Sequence, residues 1–240
     1  MNKTDKKRGK TFLVINTGYF GDTLLTAKLT RDIKTNYPES FLIFIVDSPY
    51  EEIAKGLPGV DAVVPYNRKT VNNLKSYLRF LLDFPWKNKI DVAFIAQSKK
   101  NSRNILAFFL GAKKILTFNK FAYSKNCSKF VTENIVNNRF CCMLANMLFS
   151  LTGKITDDED IEYSVSDNTQ KKVDDYLNRI NKQNNLIAIN PLASSGWKNW
   201  ELFETIKFTK LLINEGKTVV LTGVSKDDPE YIKAFHEQIG

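Results

Sequence analysis

The chain has 240 residues, with 35 Lys+Arg against 26 Asp+Glu and 43% hydrophobic residues, the balance of a globular protein and not of a disordered or fibrous one. A chain of this length buries roughly 70% of its unfolded surface, so neither a disulfide nor a metal is required as a staple. The longest apolar run, Phe140 to Leu151, interrupted by Asn146, falls short of the about 18 residues of a membrane span, and no apolar stretch follows the N-terminal charges as a secretory leader would require; a cytoplasmic location is expected.

Residues 1–10 carry +4 of the net +9 with no apolar periodicity and read as a basic disordered tail. Thr11 to Asn16 (TFLVIN) is a continuous apolar run, followed by a Gly-punctuated loop and a helical pattern from Asp22 to Asn36 with Leu24, Leu25, Leu29 and Ile33 on one face. The theme repeats. Strands are expected at 41–46, 62–64, 91–95 and 115–118, and helices at 49–55, 71–82 and 104–110. Runs that are apolar throughout are buried on both faces, and their alternation with helices makes a parallel α/β sheet the natural architecture.

Helices are expected around 139–151, then an acidic stretch from Asp157 to Glu162 that suits a linker, and a polar helix over 169–181. The pattern then restarts with a strand at 186–190, a helix over 200–214 closed by Gly216, a strand at 218–222 and a helix over 229–239. The expected organisation is a first domain over 11–156, a linker and connecting helix over 157–184, and the first half of a second domain over 185–240.

Ligands of open α/β sheets collect at the carboxyl ends of the strands. The first such loop, Thr17-Gly18-Tyr19-Phe20-Gly21-Asp22, lacks the GxGxxG spacing of dinucleotide sites, but it offers close backbone approach and a carboxylate where a helix begins. Asp22 suits either a general base or a first-turn acid that satisfies free amides. The loop Asn190 to Trp200 carries Ser194, Ser195, Gly196 and Lys198, hydroxyls and an ammonium ahead of a helix, which fits a diphosphate site or an ordinary connection with a solvated lysine. Thr222 and Gly223 follow the last strand, as part of the same ligand-facing end or as a plain turn.

Between residues 99 and 129, Lys99, Lys100, Arg103, Lys113, Lys114, Lys120, Lys125 and Lys129 stand with no acidic residue among them. Such a block is either a solvated face or a site for an anionic partner. Few aromatics are interleaved, so a phosphorylated glycolipid or an anionic membrane surface competes well with nucleic acid as the partner. Gln97 opens this segment. The cysteines Cys127, Cys141 and Cys142 have no metal-ligand spacing and read as reduced core residues, and the sole histidine, His236, reads as a surface residue.

Together the segments Gly21-Asp22-Thr23-Leu24-Leu25-Thr26, YPES-FLIFIVD (37–47), PGVDAVVPY (58–66), LGAKK (110–114), NPLASSGWKNWELFE and KTVVLTG resemble, in that order, the heptosyltransferases of glycosyltransferase family 9. The resemblance implies a GT-B fold of two Rossmann-like domains with parallel sheets, the second incomplete here, since the family's Gly-Pro-x-His-Leu-Ala donor segment is not reached before Gly240. It further implies a metal-independent, inverting transfer of a heptose or related sugar from an ADP-sugar to a lipopolysaccharide core acceptor, with no cofactor beyond that donor. In that scheme Asp22 is the base, while Ser194, Ser195, Lys198, Thr222 and Gly223 hold the donor. Gly21, Gln97, Lys99, Lys100 and Arg103 face the acceptor. The protein would sit peripherally on the cytoplasmic face of the inner membrane. At the family's H-P-G this chain has Asn190-Pro191-Leu192. The alternative is a catalytically inactive remnant that binds glycolipid or a partner chain.

Overall fold

The computed structural model describes residues 9–67, 73–96, 101–117, 127–129, 144, 147–148, 151–153, 161–179, 185–193, 196–222 and 229–239. The chain divides into two compact units, Met1–Val165 and Ser166–Gly240.

The first unit is built on β1 (Thr11–Asn16), β2 (Phe41–Asp47), β3 (Ala62–Tyr66), β4 (Val92–Ile95), β5 (Lys114–Thr117) and β6 (Cys127–Lys129), which form one sheet in the order β3-β2-β1-β4-β5-β6. Every neighbouring pair is parallel, with Val14 opposite both Phe44 and Phe94 at the centre. The strand order reverses between β1 and β4, so the loops leaving these two strands diverge and open a crevice at their carboxyl ends.

Alternate residues of each strand feed opposite faces. Phe12, Val14, Phe44, Val46 and Phe94 pack under α1 (Phe20–Leu24), α2 (Ala27–Asn36) and α3 (Glu51–Lys55), together with Leu144, Met147 and Leu148. Leu13, Ile15, Ile43, Ile45 and Ile95 pack under α4 (Leu74–Asp83) and α5 (Asn101–Phe109). All ten of these strand side chains are fully buried, at about 1.5–3 kcal/mol of transfer free energy each.

The second unit contains α6 (Asp167–Arg179), β7 (Leu186–Ile189), α7 (Leu202–Asn214), β8 (Thr218–Leu221) and α8 (Pro229–Ile239), with β7 and β8 paired in parallel. Gly216, in the left-handed region at φ 74°, closes α7 as expected. The expected parallel α/β architecture with a second, smaller sheet is what the chain adopts.

Three local features differ from expectation. The helix predicted over 22–36 starts at Phe20 and is broken between α1 and α2. The three-residue strand β6 has no apolar run to announce it. The end of the supposed linker is bonded to the first unit, with Arg31 Nη1 donating to Glu162 at 3.1 Å and Ser164 N–H to the Gly56 carbonyl at 3.0 Å. Residues 157–160 lie outside the described residues.

Candidate active site

The β1 strand ends on Asn16, a polar residue with no exposed surface. A buried amide must bond fully, and this one ties together the loop that follows. Its Nδ2 donates to the Asp22 carbonyl and to Thr26 Oγ1, each at 2.8 Å, and its Oδ1 accepts the Gly18 N–H at 2.9 Å. Thr26 Oγ1 also donates to the Asp22 carbonyl at 2.9 Å, while Thr26 N–H turns to the Thr23 carbonyl at 3.1 Å. Side chains have taken the carbonyl that the helix ladder would use, and this breaks the predicted helix into α1 and α2. Asn16 belongs to no recognised motif in the sequence. Its signal is a lone amide closing an apolar strand directly before the Gly-punctuated loop.

Asp22 is half-buried at the end of the same crevice. Its Oδ2 accepts the Tyr19 N–H at 3.1 Å, the reach-back that satisfies a free amide at a helix start. The capping role weighed from the sequence is therefore present, carried by one carboxylate oxygen. The side chain folds back over Gly18, where an added Cβ would come within 2.6 Å of Asp22 Oδ2 and 2.9 Å of Asn16 Oδ1. At Gly21 a Cβ would meet nothing within 4 Å. Gly18 is thus demanded by packing, whereas Gly21 has room for a side chain.

Arg103, on α5 beyond β4, reaches the same crevice from the other side of the strand-order reversal. Its Nε donates to Thr17 Oγ1 at 2.8 Å, its Nη1 to Tyr66 Oη at 3.3 Å, and the guanidinium lies 4.5 Å from the centre of the Tyr66 ring. The sequence puts Arg103 among the acceptor contacts; in the structure its guanidinium is seated between Thr17 and Tyr66. The residue is 6% exposed, with two donors of its planar fork holding the β1 loop against β3. The block is also not one patch. Lys113 bonds Asp91 at 2.7 Å, at the amino end of β4 and β5, the opposite end of the sheet from Arg103. Lys129 lies in β6, and Gln97, Lys99, Lys100, Lys120 and Lys125 fall outside the described residues. Near Arg103, Tyr77 has its phenol pushed above the usual tyrosine range, first by burial and next by Tyr66, with Arg103 opposing.

In the second unit, the loops after β7 and β8 leave neighbouring strands at one end. Thr222 N–H donates to the Ile189 carbonyl at 2.8 Å and its Oγ1 to the same atom at 3.3 Å. The longer loop is closed by Asn199, whose Oδ1 accepts the Ala193 N–H at 2.8 Å, and by Trp200 N–H on the Pro191 carbonyl at 2.8 Å. Asn199 is a second such side chain that no sequence motif marks. Lys198 is exposed, its ammonium 5.0 Å from the centre of the Trp197 ring. Ser194, Ser195 and Gly223 lie outside the described residues, as do Cys141 and Cys142. His236 is exposed on α8. Among the described residues no three His, Cys, Asp or Glu side chains gather as metal ligands, and no helix is long and apolar enough to cross a membrane.

A cavity of about 510 Å³ lies between β3 and α4, lined by Val64, Pro65, Asn67, Arg79, Phe80 and Phe84 among others. Neither Asp22 nor Arg103 lines it.

Solved structures share this architecture. A glycosyltransferase family 9 protein from Veillonella parvula superposes with TM-score 0.80 at 17% identity, over 96% of this chain and 66% of that one. The ADP-heptose lipopolysaccharide heptosyltransferase II of E. coli gives 0.70 at 18% identity over 95% and 70%, and an E. coli heptosyltransferase solved with ADP gives 0.65 at 15% over 96% and 72%. At these identities the likeness establishes the fold, a two-unit α/β architecture of the GT-B type. The chain spans just under two thirds of the Veillonella protein's length. No family model matches the sequence, and no curated protein does.

Proposed function

We propose that the chain belongs to a glycosyltransferase that moves a sugar, a heptose or a relative, from an ADP-sugar to a lipopolysaccharide core acceptor. The observation that carries the proposal is Asp22, a carboxylate at the strand-order reversal, half-buried, with Oδ2 fixed by the Tyr19 amide over Gly18. Solved structures with this fold include heptosyltransferases whose bound molecules are ADP and ADP-2-deoxy-2-fluoro heptose, which supports an ADP-sugar donor.

In the proposed reaction Asp22 takes the proton of the acceptor hydroxyl while that oxygen bonds to the anomeric carbon. The bond from that carbon to the diphosphate breaks on the opposite face, so the anomeric centre inverts and ADP leaves with the electron pair. Lys198, with Ser194, Ser195, Thr222 and Gly223 on neighbouring loops, offsets the charge that grows on the diphosphate. No metal step is invoked. Gln97, Lys99 and Lys100 face the phosphorylated acceptor. Arg103 acts one step away, holding Thr17 and therefore the loop that carries Asp22. The protein works in the cytoplasm, peripheral to an anionic membrane.

Asp22→Asn decides the central role. An amide oxygen still accepts the Tyr19 N–H, so the cap survives and only the proton acceptor is lost. Turnover is expected to fall about 10²–10⁴-fold with the thermal midpoint unchanged, and undiminished kcat would rule the base out.

A further inference from the structure

The helices α4 and α5 cover the same sheet face, burying Leu81, Phe84, Leu106 and Leu110 in one cluster. Their outer surfaces are not those of ordinary solvated helices. On α4, Leu74, Leu78 and Leu82, spaced i, i+4, i+8, are 73%, 48% and 73% exposed. On α5, Ile105, Phe108 and Phe109 are exposed as well, with the two Phe rings 5.8 Å apart. Among the described residues of the helices on the opposite face, α2 and α3 leave no large apolar side chain exposed and α1 exposes only Phe20. Scattered exposed leucines need no explanation, but a stripe on one helix beside an apolar patch on its neighbour does.

The charges around this face have one dominant sign. Lys75 and Arg79 stand one residue on from Leu74 and Leu78 along the exposed side of α4. Lys87 and Lys89 follow α4, and Lys113 and Lys114 follow α5. The two turns are bonded to each other, Asn88 N–H to the Leu110 carbonyl at 2.8 Å and Lys113 N–H to the Ile90 carbonyl at 3.1 Å, so the cations gather where both helices end. The acids here are Asp83, paired with Arg79 at 3.4 Å, and Asp91, paired with Lys113 at 2.7 Å.

From this pairing of an exposed apolar stripe with a basic border, we infer that the outer face of α4 and α5 is the surface by which the protein docks on an anionic lipid bilayer. An interfacial helix places its apolar side at the acyl boundary and its Lys and Arg at the headgroups. A second copy seated on the same face would bring like charges together, whereas a bilayer of anionic lipid supplies the opposite sign. The inference rests on the proposed membrane contact and adds its location, independent of Asp22 and of any donor.

Cosedimentation of the 240-residue chain with vesicles of phosphatidylethanolamine and phosphatidylglycerol tests it, with phosphatidylcholine vesicles as reference. The chain is expected to bind the anionic vesicles preferentially, and Leu74→Gln, Leu78→Gln and Leu82→Gln combined to weaken that binding at least about tenfold. Should the triple variant not fold, Lys75→Glu with Lys87→Glu serves instead, with a loss of similar size expected. Full-strength binding by a folded variant of either kind overturns the docking face while leaving membrane contact intact. Absence of vesicle binding by the unaltered chain overturns both, yet leaves the transfer chemistry to its own test with ADP. A concentration-dependent dimer that the triple variant abolishes, without vesicle binding, identifies a second copy as the occupant and also overturns the inference.

Discussion

Asp22 holds two jobs in one carboxylate, and the two are separable by substitution. Asp22→Asn keeps the cap, whereas Asp22→Ala loses it and is expected to cost about 0.5–2 kcal/mol of stability in addition to turnover. Asn16 bears a heavier structural load, since each of its polar atoms is buried and bonded. Asn16→Ala leaves the Gly18 N–H without that acceptor and opens a gap beneath the loop, so urea denaturation should show a loss of about 1–3 kcal/mol, and the freed loop should lower kcat. The glycines divide the same way. Gly18→Ala forces a Cβ against Asp22 and should destabilise, while Gly21→Ala sits in a helix with open space around it and should gain up to about 1 kcal/mol. If Gly21→Ala lost stability instead, the open space assigned there would be wrong. The Gly-punctuated loop and its acid were legible from the sequence. Asn16 was not, because its importance comes from partners six and ten residues away that meet it only after the strand turns into the helix.

At the scale of elements, the central strands announce themselves because both their faces are buried and every position must be apolar. The strand β6 (CSK) has no such run, and the division between α1 and α2 has no Gly or Pro to mark it. Its cause is an amide inserted from another element. The packing of Arg103 is hidden for a related reason: a cation in a run of cations implies solvent unless a hydroxyl just past β1 and a phenol on β3 receive it. Arg103→Met should cost about 1.5–3 kcal/mol, and Arg103→Lys should recover little of that, since a single ammonium does not reproduce the guanidinium fork. The neighbouring Tyr77 adds a pH signature. Its phenol is raised in the folded protein, chiefly by burial, so its contribution is fully present below the ordinary value of about 10 and is lost as pH rises through the higher folded value. The urea midpoint should fall in that alkaline window, and Tyr77→Phe should flatten the fall.

For the whole molecule, the succession of strand and helix predicted a parallel α/β chain with a pattern that restarts, and the two units have that form. The segments that resemble glycosyltransferase family 9 agree with the solved structures that share the fold. What the sequence left open is how its cations are distributed. Of the block between 99 and 129, Arg103 lies buried at the carboxyl end of the sheet and Lys113 at the amino end, beside the exposed leucines and phenylalanines. Charge counted along a chain says nothing of which sheet end or face receives it. A transferase that reaches a lipid-borne acceptor would gain from separating these sites, with chemistry at the strand-order reversal and membrane contact on the helices of one face.

The central claim is that this chain handles an ADP-linked sugar, and calorimetric titration with ADP tests it most directly. Saturable one-to-one binding, weakened about tenfold, or about 1.4 kcal/mol, when Lys198→Ala removes the ammonium, is the expected result. No saturable heat up to about 1 mM ADP, the concentration that corresponds to only about 4 kcal/mol of binding free energy, would contradict the account and favour an inactive remnant that binds glycolipid or a partner chain.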